Sequence, residues 1–240
     1  MSTEYTAIDH ELRESDSYGQ SKYHITLRWL RDRKTGSLVY NVGCGGGLFN
    51  AMAVDAGFRV EAFEPDPMAF ELARRDNPPR DCAVHQLGVD EIEGEEVADV
   101  VVMHDVLEHI EDDASVVERL RRLLVSDGRL VISVPALPSL FGFHDEQLGH
   151  HRRYTRRSFR RALTDRFDII RLRYFGFTFI PVTAYYSRLR RRPYPTSPTA
   201  SGATGTAFRA LCTAEERIPM PLGTSLMCLA RPRTSGPRLP

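Results

Sequence analysis

The chain has 240 residues, 42% hydrophobic and 27% charged, with a formal net charge of zero. That length suits one well-buried domain with small additions, and the balance is that of a soluble globular protein. Zero net charge provides no global field toward nucleic acid or an anionic membrane, and no apolar run reaches the roughly 18 residues of a spanning helix.

In chain order, residues 1–19 are polar and acidic with no apolar leader-like run, so a cytoplasmic protein is expected. The four cysteines, Cys44, Cys82, Cys212 and Cys228, form no CxxC pair and are expected as reduced thiols. From Gln20 to Asp32, the residues Tyr23, Ile25, Leu27, Trp29 and Leu30 allow an amphipathic helix ending near Thr35-Gly36. Ser37 to Val42 (SLVYNV) reads as a first strand, Leu48 to Ala56 as a helix and Phe58 to Phe63 as a second strand. Pro67 suits the first turn of a helix through Arg75, and Cys82 to Leu87 fits a third strand. Ala98 to Met103 (ADVVVM) is a β-branched run of the buried parallel kind.

The next helix starts at Asp113 and presents Val116, Val117, Leu120, Leu123 and Leu124 on one face. Ser126-Asp127-Gly128 is expected to stop it before a fifth strand, Arg129 to Val134. Phe167 to Phe175 and Thr224 to Ala230 supply two more strands, and Pro193 to Thr206 is a Pro/Ser/Thr/Gly loop. Strands alternating with helices predict a doubly wound α/β sheet with right-handed crossovers. The expected division is an N-terminal helical segment, 1–36, and a main domain, 37–240. Within the latter, 135–155 is a substrate loop and 175–222 a lid or insertion.

The first strand runs into NVGCGGGLF, Asn41 to Phe49. Glycines at 43, 45 and 47 let the backbone turn sharply and approach a ligand closely, and a helix N-terminus follows. A tight strand–helix turn with no ligand has the same local composition. The second strand ends in Phe63-Glu64-Pro65-Asp66, where an acidic side chain can take both hydroxyls of a ribose. A nicotinamide fingerprint needs a glycine at position 48, which is Leu48.

The spacing is instead GxGxG, and here the chain resembles the class I S-adenosylmethionine-dependent methyltransferases, particularly the small-molecule branch that includes ubiquinone-type O-methyltransferases. VGCGGG, FEPD, DVVVMHDVLEHIED and GRLVISVPA match that family's motifs in order, over roughly residues 37–177. The resemblance implies a seven-stranded Rossmann-like sheet with its last strand antiparallel and S-adenosylmethionine across the carboxyl ends of strands one to four. Gly43, Gly45 and Gly47 would face the methionine end, Glu64 the ribose, and Val89 with Asp90 the adenine. Asn41 stands where the family usually has an acid, and it still offers donors and an acceptor.

Two further clusters carry candidate chemistry. His104 follows VVVM where it can contact the cofactor, position a nucleophile or remove its proton. If a helix begins at Asp105, then Asp105, Glu108 and His109 share one face. Some ubiquinone-type relatives use the matching positions for a metal, but helix capping explains the same residues, and no metal is expected. HDEQLGHHRRYT, from His144, lies on the carboxyl edge and resembles the GHxRRYT segment of one group of these enzymes. His150 and Tyr154 could orient or deprotonate an acceptor, Asp145 could fix a histidine tautomer, and Arg152 and Arg153 could clamp an anion. His144 completes that expected acceptor site. Arg156, Arg157, Arg160 and Arg161 are expected on a solvated helix face capped by Thr155.

The resulting expectation is methyl transfer to an oxygen or nitrogen of a small molecule, anionic acceptors included, by a monomer or homodimer that binds no nucleic acid. The apolar stretch from Tyr174 to Tyr186, followed by SRLRRR, leaves open a membrane-associated quinone or lipid acceptor. A different outcome with the same cofactor and a non-catalytic cofactor-binding module are the remaining alternatives.

Overall fold

Val100, Val101, Val102 and Met103 are each 0% exposed, so the strand that carries them needs a packed layer on both faces. Val101 and Met103 point into one hydrophobic core, and Val100 and Val102 into the other. This strand is the centre of a computed structural model that describes residues 17–76, 81–191 and 203–233. The expectations for residues 1–16, and for most of the Pro/Ser/Thr/Gly loop, lie outside the described residues.

The elements are α1 (Ser17–Trp29), β1 (Leu38–Val42), α2 (Leu48–Asp55), β2 (Arg59–Phe63), α3 (Pro67–Asp76), β3 (Cys82–His85) and β4 (Ala98–His104). They continue as α4 (Asp113–Leu123), β5 (Leu124–Pro135), α5 (Phe143–Leu148), α6 (Arg156–Thr164), β6 (Phe167–Phe175), α7 (Ile180–Ala184), α8 (Ala203–Arg217) and β7 (Ser225–Pro232). The sheet order is β3-β2-β1-β4-β5-β7-β6. β7 runs antiparallel to both of its neighbours, and the β1–β2, β2–β3, β1–β4 and β4–β5 pairs are parallel. The strand order reverses between β1 and β4, which opens a crevice at their carboxyl ends.

Two expected details are corrected. α4 stops at Leu123 rather than at Ser126-Asp127-Gly128, because β5 already begins at Leu124 and runs through those residues. A register irregularity between Ala98 and Val100 on the partner strand absorbs them. The other correction concerns Asp105. It does not begin a helix; it has a left-handed φ of 53° and precedes a short 3₁₀ turn, Leu107–His109. Elsewhere Thr155 caps α6 by accepting from the Ser158 N–H at 3.0 Å, and Phe159 and Leu163 are its buried face. All four cysteines are free thiols.

α1 lies over the carboxyl edge, and α8 holds it there. Glu216 of α8 accepts from Arg28 at 2.9 Å and pairs with His24 at 3.1 Å. Its neighbour Glu215, 1% exposed, accepts the backbone N–H groups of Gly176, Phe177 and Thr178 at 2.7, 2.9 and 2.9 Å, and the Thr178 hydroxyl at 2.8 Å. One buried carboxylate thus satisfies three consecutive backbone donors in the turn after β6. Glu215→Ala leaves those donors without it, and at about 1 kcal/mol or more each the melting temperature is expected to fall by about 6–12 °C. Differential scanning calorimetry checks this; an unchanged midpoint would mean that the turn finds other acceptors.

Candidate active site

The loop from Gly43 to Gly47 leaves β1 through three glycines with φ of 72°, 55° and 92°. These are left-handed conformations that cost any residue with a Cβ. At Gly43 the exclusion is also steric, since a Cβ there would lie 2.3 Å from Val106 Cγ2. The Gly43 and Cys44 N–H groups both donate to the Phe63 carbonyl, at 2.8 and 3.1 Å, so the loop is tied to the end of β2. Glu64 follows there, 7% exposed, accepting from the Gly45 N–H at 2.8 Å and the Asp66 N–H at 3.1 Å. A backbone cradle whose first position has room only for glycine, beside a carboxylate with lone pairs to spare, fits an adenosyl amino acid such as S-adenosylmethionine.

Asn41 sits beneath this loop at 3% exposure, and its amide donates to Asn50 of α2 at 2.7 Å. It braces the cradle rather than lining it. Val89 is 9% exposed in a 3₁₀ turn after β3, and the adjoining Asp90 is exposed.

His104 ends β4 inside a ring of hydrogen bonds. Its Nε2 is 2.9 Å from the Thr26 hydroxyl of α1, and its Nδ1 is 2.9 Å from the Ser133 hydroxyl of β5. Thr26 gives its own proton to the Lys22 carbonyl at 2.9 Å, and Ser133 donates to Asp105 Oδ1 at 3.0 Å. The ring closes through an ion pair between Asp105 Oδ2 and the Lys22 ammonium. Burial, and then the charge of Lys22, push His104 down to about 3 against the opposing pull of Asp105. A neutral imidazole has one N–H to give, so these four contacts share three protons, and either Thr26 or Ser133 turns its proton to the ring in place of its other acceptor. With both nitrogens engaged, His104 is a poor base. Its rings of contact are Tyr23 at 5.5 Å and Phe49 at 5.9 Å, which make it a wall of the crevice. The expected proton-removing role of His104 is corrected accordingly.

The other candidates gather around Asp145, which is 0% exposed on α5. Its Oδ1 lies 2.9 Å from His150 Nδ1 and accepts from Arg153 Nε at 2.7 Å, while Oδ2 accepts the Gly142 N–H at 3.1 Å. Burial alone would raise the carboxyl, but the hydrogen bonds and charges of His150 and Arg153 outweigh it and hold Asp145 at about 2. His150 then turns Nε2 toward Glu108, 3.9 Å from Oε1, and its ring meets His109 edge-on at 4.6 Å. Among the described residues, Glu108, His109 and His150 bring one donor atom each within 4.8 Å of one another. Asp105, expected to share that group with Glu108 and His109, is turned away to Lys22 and Ser133 by its left-handed backbone.

Arg152 and Arg153 do not form the expected anion clamp. Arg153 is 8% exposed and committed to Asp145, with a second bond to the Ala136 carbonyl at 3.3 Å. Arg152 donates to the Glu111 carbonyl at 2.6 Å and pairs with Asp113 at 3.3 Å. Tyr154, 3% exposed, donates its hydroxyl to Asp113 at 2.9 Å. Burial first, and then Asp113, raise its phenol far above the ordinary value, so it is corrected from acid/base candidate to core residue. His144 is partly buried one residue before Asp145. Arg156, Arg157, Arg160 and Arg161 are exposed, as expected.

Sequence reasoning missed Lys22, Thr26 and Ser133. Ser133 looks like any interior strand serine, and Thr26 like any helix threonine. Lys22 carried a signal: it is one of two lysines among 32 basic residues.

Residues 20–171 match the sequence model of a family described as a methyltransferase domain. Over 106 residues the chain is 30% identical to the ubiquinone biosynthesis O-methyltransferase of Haemophilus ducreyi, covering 41% of this chain and 45% of that one. The chain therefore spans about half the length of the curated relative it matches. A chain in the complex of the Haloferax volcanii Trm112 methyltransferase activator with a methyltransferase superposes with a TM-score of 0.68 at 15% identity, covering 96% of this chain and 95% of that one. The N-methyltransferase NodS of Bradyrhizobium japonicum, in complex with S-adenosyl-L-homocysteine, gives 0.62 at 14% identity, covering 95% and 99%. These two share the fold. With a sheet of order 3-2-1-4-5-7-6, its β7 antiparallel, and a family match across more than half its length, the chain belongs to the class I S-adenosylmethionine-dependent methyltransferases.

Proposed function

We propose that the protein methylates a hydroxyl oxygen of a small molecule held on the carboxyl edge, with His150 as the proton acceptor. The observation that carries this reading is the Asp145–His150 pair, 2.9 Å apart, with Nε2 directed toward Glu108 and His109. A neutral amine already has a lone pair for attack, whereas a hydroxyl gains from losing its proton. The pair therefore favours oxygen over nitrogen.

When bound, S-adenosylmethionine would supply an electrophilic sulfonium methyl, with sulfur as the leaving group. Asp145 accepts the His150 Nδ1–H, which leaves Nε2 with its lone pair free to receive the acceptor's proton. As that proton arrives, the Asp145 carboxylate stabilises the imidazolium across the 2.9 Å contact. The glycine cradle and Glu64 would hold the donor, while the rings of His104, Tyr23 and Phe49 wall the crevice. Alignment and desolvation, rather than covalent help from the protein, supply most of the acceleration. Residues 135–155 act as the substrate loop, and 175–222 as its lid.

A second reading, a quinone or lipid acceptor met at a membrane, is favoured by one observation. Phe177, Val182, Tyr185 and Leu189 are exposed by 42, 43, 40 and 75%, beside Arg188, Arg190 and Arg191. Co-sedimentation with anionic liposomes, abolished by Leu189→Glu, supports it; no pelleting of the wild type excludes it.

Three outcomes test the main reading. Glu64→Gln is expected to weaken S-adenosylhomocysteine binding about 10- to 100-fold in calorimetry, the value of one or two charged hydrogen bonds. His150→Asn is expected to lower kcat about 100-fold or more with S-adenosylhomocysteine affinity unchanged, since general base catalysis contributes on that scale. Equal turnover would remove His150 from the chemistry, and a nitrogen acceptor in the product mass spectrum would favour the amine alternative.

Asp145 gives the third. Its folded value of about 2 lies below the ordinary 3.8, so its stabilising contribution is present above pH 3.8 and is lost as pH falls through about 2. Asp145→Asn is expected to lower the melting temperature at neutral pH by about 4–8 °C and to flatten that acid limb. Parallel thermal melts from pH 2 to 7 check both.

A further inference from the structure

α5, the helix that carries Asp145, is six residues long. A helix that short is not stable by itself in water, so its contacts decide where Asp145 stands. Asp145 Oδ2 accepts the Gly142 N–H at 3.1 Å, and the Gly142 carbonyl accepts the Glu146 N–H at 3.1 Å. Gly142 thus anchors both the helix and the carboxylate.

Segment 180–191 packs on that anchor. α7 runs without a break into a π-helical turn, Tyr185–Arg190, and Ser187 of that turn is buried. A Cβ on Gly142 would lie 2.6 Å from the Ser187 carbonyl oxygen and 2.7 Å from its hydroxyl. Gly142 has an extended backbone that any residue can adopt, so glycine is needed here for room. Arg188 donates to the Ser139 carbonyl ahead of α5, and Arg191 reaches Glu146 on α5 at 3.5 Å.

Three unfavourable features meet at this contact. A π-helical turn is rare and recurs at functional sites. Arg191 closes it with a left-handed φ of 47°, which is strained for a residue with a Cβ. The buried Ser187 hydroxyl has no hydrogen-bond partner among the described residues. An exposed ion pair such as Arg191–Glu146 contributes too little to offset them. Strain of this kind persists where the surroundings over-determine it, and it clusters at active sites and clamps.

We propose that Ser187 and Gly142 are positioning residues for the methyl transfer. Segment 180–191, seated on Gly142, fixes the N–H that orients Asp145, and Asp145 in turn holds His150 with its proton on Nδ1. The inference rests on the reading of His150 as the proton acceptor and adds what keeps it in that state. When the segment leaves, α5 loosens and Asp145 loses the Gly142 N–H. His150 then loses its fixed tautomer, and Nε2 no longer keeps the lone pair that receives the acceptor's proton. Arg153 stays on Asp145 Oδ1 throughout, so the carboxylate remains paired while its direction is lost. Lid and base are therefore one mechanical unit, and proton removal is confined to the docked form.

The test needs no acceptor. Nitrogen-resolved NMR of the full-length protein reads the His150 tautomer, with His150→Asn identifying its signals. Amide exchange at Glu146 and Gly149 reads α5. Gly142→Ala and Ser187→Val crowd the contact from its two sides. Both are expected to lose the Nδ1–H form and to exchange about tenfold or more faster at those amides, on the scale of local opening. S-adenosylhomocysteine affinity in calorimetry is expected to stay within about twofold, since the glycine cradle is untouched. A folded variant that keeps the Nδ1–H form would show that Asp145 holds His150 without the segment, and would overturn the proposal. A matching loss of S-adenosylhomocysteine affinity would make the contact a general structural one and overturn it too. Should neither variant fold, wild type decides. Elements that open together exchange together, so Glu146 and Gly149 are expected to match Tyr185, whose N–H is bonded to the Pro181 carbonyl. Exchange in α5 more than about tenfold faster than at Tyr185 overturns the proposal alone. Wild-type His150 with its proton on Nε2 would instead overturn the reading of His150 as the base, a different result.

Discussion

A strand buried on both faces cannot leave its polar end unpartnered, and most of the site follows from how β4 meets that constraint. Val100 to Met103 are sealed from water, so His104 and Asp105 emerge at the carboxyl edge into a low-dielectric gap. Polar groups there are costly without hydrogen bonds. The partners come from two other elements, Thr26 and Lys22 of α1 and Ser133 of β5, and satisfying them brings α1 down over the glycine loop. The placement of α1 and the wall of the crevice are consequences of one desolvation problem.

The same logic operates on the neighbouring loop. Asp145 is fully buried, and it is tolerable there because Arg153, His150 and the Gly142 N–H together satisfy it. Two residues that look like substrate ligands in the sequence thus divide their work. Arg153 neutralises the carboxylate from within, and His150 is oriented by it, with the other nitrogen toward Glu108. Removing one of these partners would strand a buried charge, which is why the cluster behaves as a unit.

Charge is arranged in closed sets around the crevice. Lys22 with Asp105, Arg153 with Asp145, and Arg152 with Asp113 are each paired within the protein. The exposed arginines of α6 are a solvated surface and have no share in this.

Much of the fold was legible in the sequence, because it depends on local patterns. β-branched runs, helical periodicity, a proline at a helix start and a glycine cluster after the first strand each act over a few residues, and together they order the elements correctly. The cradle and Glu64 were legible for the same reason: their geometry follows from glycine conformations and a strand end. What the sequence could not show was which side chains face each other across elements. A proton-removing role was open to His104 in the sequence until Thr26 and Ser133 occupied both nitrogens. Arg152, Arg153 and Tyr154 read as ligands until Glu111, Asp145 and Asp113 took their donors. Asp105 read as a helical neighbour of Glu108 until its left-handed φ turned it to Lys22. Local sequence determines backbone state and element order. Tertiary packing alone decides hydrogen-bond partnership, because that depends on distances between residues as far apart as Lys22 and Asp105 in the chain.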